Sequence, residues 1–277
     1  MESNARARTL GAELRDLRRG KGLGIVELGQ RVGLSKSTVS RVERGERVPT
    51  ETEVASILGA MGVVGAKRRE LLKLAREAAG SNWLGTGAEL PQQLKALIEY
   101  ERVATAITEV GPLLVPGLLQ TPDYARAIMV ESGLPHAHAE ARVEVRLDRQ
   151  QVLTREKPVP YLAVVDESVL RRPLGGRSVM VEQARHLLAM VERDNVTIRV
   201  VPAQRSWYPG LYGPFSLLET ARTTPVVHLE HLRSNLFLDK PEDVQAYLDI
   251  KPTLLAAAAS VEDSAELIST YAEGRHR

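Results

Sequence analysis

The chain of 277 residues contains no cysteine, which excludes disulfide bonds, thiolate metal sites, iron–sulfur clusters and cysteine nucleophiles. Aromatic residues make up only 4% of it, and no apolar run approaches the roughly 18 residues that a membrane-spanning helix needs. The first ten residues, MESNARARTL, lack the apolar stretch of a signal peptide. We therefore expect a cytoplasmic location.

A strong net charge is also absent, since 37 Lys and Arg residues stand against 35 Asp and Glu residues. This near balance conceals an uneven distribution. Residues 1–80 carry a net charge of +6, whereas residues 81–277 carry −4. Residues 78–82, AAGSN, have the small and polar side chains typical of a linker. The sequence thus predicts a basic domain, 1–80, followed by an acidic domain, 81–277.

Hydrophobic spacing and turn residues predict the α+β class. The first domain reads as an all-α bundle of five helices, and the second as a mixed α+β domain with about five strands and flanking helices. The apolar spacing predicts that the second domain opens with a helix over about 91–109.

The clearest functional signal is LGIVELGQRVGLSKSTVSRVERGER, residues 23–47. It predicts a helix, a tight turn at Gly33 and a second helix capped by Ser35, which is the helix-turn-helix arrangement. Residues 10–64 resemble the phage-repressor and Xre family of helix-turn-helix domains. The residues that carry this resemblance are Leu14, Leu17, Arg18, Leu23, Glu27, Leu28, Val32, Gly33, Leu34, Ser35, Val39, Ser40, Glu43, Gly45 and Pro49.

In this arrangement the second helix enters the major groove of DNA, so its first turn and outer face are expected to read bases. The candidates for base edges are Lys36, Ser37, Ser40 and Arg41. Other residues are better placed for phosphates, including two in a flexible N-terminal arm. The phosphate candidates are Thr38, Arg44, Arg47, Arg6 and Arg8. The resemblance implies that Arg18 and Glu43 form a structural ion pair joining the first and third helices.

The chain departs from the family pattern at three positions. Gly24 stands where Ser or Thr commonly caps the first helix of the motif, and Ile25 where Gln commonly touches a phosphate. Gly29 replaces an Ala that commonly packs against the recognition helix, and it should cost up to about 1 kcal/mol of helix stability.

Other groups of residues give weaker functional signals. The histidines give no convincing metal site, so no metal or other cofactor is expected. Asp166 and Glu167 could be an acid–base pair, but such residues commonly begin a helix. The segment 205–215 concentrates aromatic side chains, which indicate either a core plug or the lip of a pocket or partner surface. These aromatic residues are Trp207, Tyr208, Tyr212 and Phe215.

The second domain has a resemblance of its own. Segments across about 82–273, most specifically VPGLLQTPDYAR at 115–126, look like the effector domain of the Scr-type, antitoxin-like helix-turn-helix regulators of actinomycetes. This resemblance implies a transcription factor without enzyme activity. It also implies a neighbouring gene for a small acidic protein, which would be a partner or counterpart.

Together these features predict a regulator that binds a double-stranded operator as a homodimer, modulated by a small partner protein or a small-molecule ligand on its second domain. Three alternatives stay open. The first is a self-cleaving phage-type repressor peptidase, cut at Ala79–Gly80. The second is a protein-interaction module that binds DNA only non-specifically. The third is a basic bundle that presents a solvated charged face.

Overall fold

The computed structural model describes residues 4–78, 83–86, 90–221, 224–231 and 234–274. Within them the chain is α+β, which confirms the predicted class. The helices are α1 (Ala5–Gly20), α2 (Ile25–Val32), α3 (Lys36–Glu43), α4 (Glu51–Ala60), α5 (Gly65–Glu77), α6 (Leu90–Val103), α7 (Pro122–Glu131), α8 (His136–Gln150), α9 (Glu167–Arg171), α10 (Arg177–Val191), α11 (Pro241–Ala257) and α12 (Val261–Ala272). The strands are β1 (Trp83–Thr86), β2 (Ala104–Gly111), β3 (Tyr161–Asp166), β4 (Val196–Val201), β5 (Phe215–Thr220), β6 (Val226–His231) and β7 (Ser234–Leu238).

The chain forms two compact units. The first comprises Met1–Ala104 and Glu219–Gln245, and the second comprises Thr105–Leu218 and Ala246–Arg277. The predicted linker includes residues 79–82, which lie outside the described residues, as does the Ala79–Gly80 bond of the peptidase alternative. The division at residue 80 stays a prediction.

The first unit contains the five helices that the sequence predicts for its N-terminal region, followed by α6. Local signals set their ends: the Asn4 side chain caps α1, and Thr50 with Glu53 forms a capping box at α4. Their apolar faces form a buried core. Fully buried members of this core include Leu10, Leu14, Leu28, Val39, Val42, Val54, Ile57, Leu58 and Leu71.

The same unit contains an antiparallel set of three strands. β1 pairs with β7, with Trp83 opposite Phe237, and β7 pairs with β6. The Phe237 ring is buried and stacks against Tyr100 of α6, with their centroids 6.0 Å apart. Helix α6 therefore packs against these strands.

The second unit is built on a parallel sheet. β3 pairs in parallel with β2 on one side and with β4 on the other, while β5 neighbours β2. Ala163, Val164 and Val165 of β3 are all fully buried, as expected of a central parallel strand. Because the strands are parallel, β2, β3 and β4 all end at the same edge of the sheet.

The predicted helix 91–109 is wrong over 104–109, because α6 ends at Val103 and β2 begins at Ala104. Apolar residues Val103, Ala104 and Ile107 fit helical spacing, which led to the error. However, the segment also contains Thr105, Ile107, Thr108 and Val110, whose β-branched side chains favour a strand. The segment forms a strand because it pairs with β3.

Candidate nucleic-acid interface

Helices α2 and α3 are joined by a turn of three residues, 33–35. Gly33 ends α2 with a left-handed backbone (φ 71°), a conformation that glycine adopts readily. Ser35 begins α3, and its hydroxyl accepts a hydrogen bond of 3.1 Å from the backbone N–H of Thr38. The sequence predicted both of these residues from turn and cap chemistry.

The inner face of α3 packs against α1. Val39 and Val42 are each 1% exposed. Gly11 of α1 lies so close to α3 that a Cβ atom there would overlap the carbonyl oxygen of Val42. The close approach of the two backbones therefore requires a glycine at position 11. It also determines which face of α3 points away from the unit.

A buried ion pair also joins α1 to α3. The guanidinium of Arg18 donates to both carboxylate oxygens of Glu43, at 2.6 and 2.8 Å, and a third N–H reaches the carbonyl of Leu23 at 2.7 Å. The two side chains are 9% and 5% exposed. The hydrogen bond from Glu43 raises the pKa of Arg18, although burial opposes the shift. The structure thus brings together the residues that were expected to form a structural pair.

The outer face of α3 carries the residues expected to read bases. Lys36, Ser37 and Arg41 are exposed and Ser40 is half-buried. Among the described residues, neither Lys36 nor Arg41 has a hydrogen-bond or ion-pair partner for its side chain. Ser40 differs because its hydroxyl accepts a hydrogen bond from Arg44. Two cations are therefore available on one exposed helix face.

Three phosphate candidates are already occupied within the unit. The hydroxyl of Thr38 is 2.9 Å from that of Ser35. Arg44 donates twice to Glu46, with both bonds at 2.9 Å, and this carboxylate raises the pKa of Arg44. Arg47 makes a bidentate pair with a carboxylate of the α4 capping box, at 2.8 and 3.0 Å. To contact a phosphate through these N–H groups, Arg44 would have to leave Glu46, and Arg47 would have to leave Glu53.

The prediction of a flexible N-terminal arm is wrong. Arg6 and Arg8 both lie in α1, which begins at Ala5. Arg8 is only 5% exposed, and its guanidinium carbon lies 4.3 Å from the ring centroid of Tyr100, a cation–π contact. The capping of α1 by Asn4 and this contact with α6 order the segment. Arg8 therefore faces the interior and cannot reach a phosphate in this conformation, whereas the Arg6 contact stays a prediction.

Two of the departures from the family pattern now have structural descriptions. Gly24 begins α2 without a side-chain cap. A Cβ atom on Gly29 would lie 2.5 Å from the carbonyl oxygen of Leu34, too close for an undisturbed backbone. Glycine at position 29 thus permits the tight approach between α2 and the turn. Helix propensity alone does not predict this requirement for glycine at position 29.

The contacts that join α1 to α6 were not predicted from the sequence. Arg15 makes a bidentate pair with Glu99, at 2.8 and 3.3 Å, and Lys95 pairs with Glu13 at 2.6 Å. Burial raises the pKa of Glu99 more than any other single effect, but the hydrogen bonds and charges of Arg15 and Arg102 together outweigh it, so the pKa is lowered. These charged residues have the spacing of an exposed helix face. That spacing does not show that the partner of Arg15 lies 84 residues away.

The four aromatic candidates of residues 205–215 separate into two kinds. Trp207 and Tyr212 are exposed, by 54% and 89% respectively, and contact each other edge to face. Tyr208 and Phe215 are buried, so the structure contradicts their assignment to a surface. The Tyr208 hydroxyl donates to Asp166 at 2.9 Å, while Phe215 packs against Tyr247. Both the core and the surface interpretations therefore hold, but for different residues.

Asp166 and Glu167 are also accounted for by packing. Asp166 begins α9 as its N-cap and accepts the hydroxyl of Tyr208. Glu167 accepts hydrogen bonds from Arg171 at 2.7 Å, Tyr271 at 2.8 Å and the backbone N–H of Ala203 at 2.8 Å. Within the described part of the chain, no group of three or more potential metal-ligating side chains converges.

Comparison with known families agrees with this geometry. Residues 9–72 match the helix-turn-helix domain, so the chain is a helix-turn-helix protein of the DNA-binding regulator class. Residues 94–270, more than half of the chain, match the domain of unknown function DUF5753, and the chain belongs to that family. Comparison with curated proteins and with solved structures gives no significant match. None of the helices in the described ranges is long and apolar enough to cross a membrane.

Proposed function

We propose that the protein is a sequence-specific transcriptional regulator of the Xre type. Lys36, Ser37, Ser40 and Arg41 read base edges in the major groove, while Arg6, Thr38, Arg44 and Arg47 contact phosphates. The protein acts on DNA in the cytoplasm and has no enzyme activity. It binds a two-fold operator as a homodimer, with half-sites about 34 Å or a multiple apart.

One observation carries this proposal: Lys36 and Arg41 are exposed on α3, without side-chain partners among the described residues. A lysine or arginine in the major groove suits the O6 and N7 acceptors of guanine. By contrast, Arg18, Arg44 and Arg47 are each paired with a carboxylate. The available positive charge on the helix therefore lies on the face that we propose contacts bases.

The test compares three alanine variants on an operator identified by footprinting upstream of the protein's own gene. Arg41→Ala should weaken operator binding by about 1 to 3 kcal/mol and relax base preference at the contacted position. Arg44→Ala should weaken binding to all DNA similarly and flatten the salt dependence. Arg142→Ala changes an exposed arginine of α8 and is the matched control, with unchanged affinity expected. Full operator affinity and selectivity in Arg41→Ala would refute the assigned role.

We further propose that the protein is an antitoxin-like regulator of the Scr type, modulated through its DUF5753 domain. The similarity of residues 82–273 to those effector domains supports this assignment. A small acidic protein encoded nearby, or a small-molecule ligand, would bind one state of the regulator more tightly and shift its DNA affinity. Operator titrations with and without the neighbouring protein test the partner. An unchanged affinity at saturating partner would contradict coupling by that protein.

A further inference from the structure

The second unit exposes a group of large apolar side chains on two loops. We call this group the aromatic surface. Its members and their exposed fractions are Leu113 (56%), Leu114 (37%), Trp207 (54%), Leu211 (54%) and Tyr212 (89%). Large apolar side chains grouped in this way on a protein surface commonly mark an interaction site.

The two loops meet at the edge where the parallel strands end. Leu113 and Leu114 lie two and three residues after the end of β2, whereas the other three residues lie between β4 and β5. The two segments are in contact, since a Cβ atom on Gly210 would lie 3.0 Å from Cγ1 of Val110, near the end of β2. Binding sites of parallel sheets are typically located outside this edge.

Buried hydrogen bonds hold the loop after β2 in place. The side chain of Gln183 is fully buried, accepts the N–H of Thr121 at 2.8 Å and donates to the carbonyl of Leu119 at 2.7 Å. Val115 is fixed on both sides, because its N–H donates to the hydroxyl of Tyr124 and its carbonyl accepts from Gln120. Leu113 and Leu114 therefore project from an anchored loop.

The loop after β4 is anchored in a similar way. Glu167 accepts the N–H of Ala203 at 2.8 Å, and Asp166 accepts the hydroxyl of the buried Tyr208 at 2.9 Å. Trp207, next to this anchored tyrosine, is thus presented to solvent by an ordered backbone. Preorganisation of this kind lowers the entropy lost on association.

The charge distribution favours a copy of the same chain as the occupant. No charged residue occurs in 110–122 or in 206–218. Charges that flank these segments have partners: Glu109 accepts hydrogen bonds from Ser216 and Tyr161, Asp123 pairs with Arg126, and Arg205 donates to the carbonyl of Ala257. In a two-fold contact a surface meets itself, so a charge of one sign at its centre would be repelled by its own copy. An uncharged centre rich in Trp, Tyr and Leu avoids this repulsion and offers nothing for a highly charged partner to pair with.

We infer that the aromatic surface is the core of a two-fold interface between two copies of this chain. This inference rests on the proposed function and deepens it, because it names the contact that would hold two helix-turn-helix domains together for a two-fold operator. Five side chains are fewer than the roughly 20 to 30 residues a side of a stable interface, so they form its centre and neighbouring residues surround them.

Sedimentation of the full chain over a range of concentrations tests this inference. The wild type should sediment as a dimer, and the double variant Trp207→Ser/Tyr212→Ser should dissociate on the order of 100-fold more readily. Both side chains are exposed, so the variant should keep the wild-type circular dichroism spectrum. Val130→Ser, at another exposed apolar residue of this unit, is the matched control and should remain dimeric.

Two results would overturn the inference: a wild type that is monomeric at every concentration, or a double variant that dimerises as strongly as Val130→Ser. DNA binding separates this failure from a failure of the proposed function. The monomeric variant should bind a single half-site with wild-type affinity and lose cooperative binding to two half-sites. A different result would contradict the proposed function but not the interface. In that case the double variant would disrupt the dimer, but the wild-type dimer would bind operator and other DNA equally well.

Discussion

Two residues, Arg18 and Glu43, fix the recognition helix to α1. Their side chains are almost completely buried and form a bidentate pair, so removal of one partner leaves a buried charge uncompensated. We predict that Glu43→Gln and Arg18→Met each lower the free energy of unfolding by about 3 to 5 kcal/mol. The double variant should lose clearly less than the sum. Urea unfolding measures the three values, and additive losses would show that the pair is not coupled.

Gly11 permits the close backbone contact between α1 and α3. Gly11→Ala should therefore destabilise the protein, because the added methyl group forces α3 away from α1. Gly59→Ala is the control, since a Cβ atom at this position in α4 meets nothing within 4 Å. The control should gain up to about 1 kcal/mol from helix propensity. A gain of stability in both variants would contradict the described packing.

Residues whose role is local could be predicted from the sequence. Ser35 and Gly33 were identified from cap and turn chemistry, and the structure shows both in those roles. Residues whose position depends on tertiary contacts could not be predicted. The placement of Arg8 on Tyr100 depends on a residue more than 90 positions away, and no periodicity encodes that contact. The requirement for glycine at position 29 likewise depends on a carbonyl oxygen that is close only in the folded turn.

At the scale of elements, α1 lies between the recognition helix and α6. Arg18 contacts α3, and three residues further back Arg15 contacts Glu99 of α6. The first unit therefore includes more than the predicted DNA-binding bundle, because α6 and the antiparallel strands pack with it. A partly buried carboxylate thus connects the start of the DUF5753 region to the helix that supports α3.

The lowered pKa of Glu99 gives a prediction for the pH dependence of stability. A carboxylate whose pKa is lower in the folded than in the unfolded protein stabilises the fold above its unfolded pKa, near 4.3, and this contribution is lost as the pH falls through the folded pKa. Glu99→Gln should therefore lower the free energy of unfolding at pH 7 by about 1 to 2 kcal/mol. It should also make the loss of stability below about pH 4.3 shallower.

Urea unfolding between pH 7 and pH 3 provides the measurement. Glu27→Gln is the control, because Glu27 and Arg31 form an i,i+4 pair in which both side chains are 49% exposed. This control should lose at most about 0.5 kcal/mol at pH 7. If Glu99→Gln kept the acid sensitivity of the wild type, the ion pairs of Glu99 with Arg15 and Arg102 would not have the strength that their geometry indicates.

At the scale of the whole molecule, the net charge of +2 is misleading, because it combines a basic region of net charge +6 with an acidic remainder of −4. Attraction to phosphates should therefore arise from residues 1–80, while the remainder should repel DNA. Several arginines of the basic region are already paired with carboxylates, so we predict fewer ionic contacts than the charge count would allow. The slope of log affinity against log salt, measured on the operator, counts these contacts.

Competition binding at physiological salt tests the central claim most directly, by comparing the identified operator with a scrambled duplex of the same length and composition. We predict that the wild type prefers its operator by at least about 1,000-fold and that Arg41→Ala loses a substantial part of this preference. Equal affinity of the wild type for the two duplexes would contradict sequence-specific recognition and favour a protein-interaction module that binds DNA without specificity.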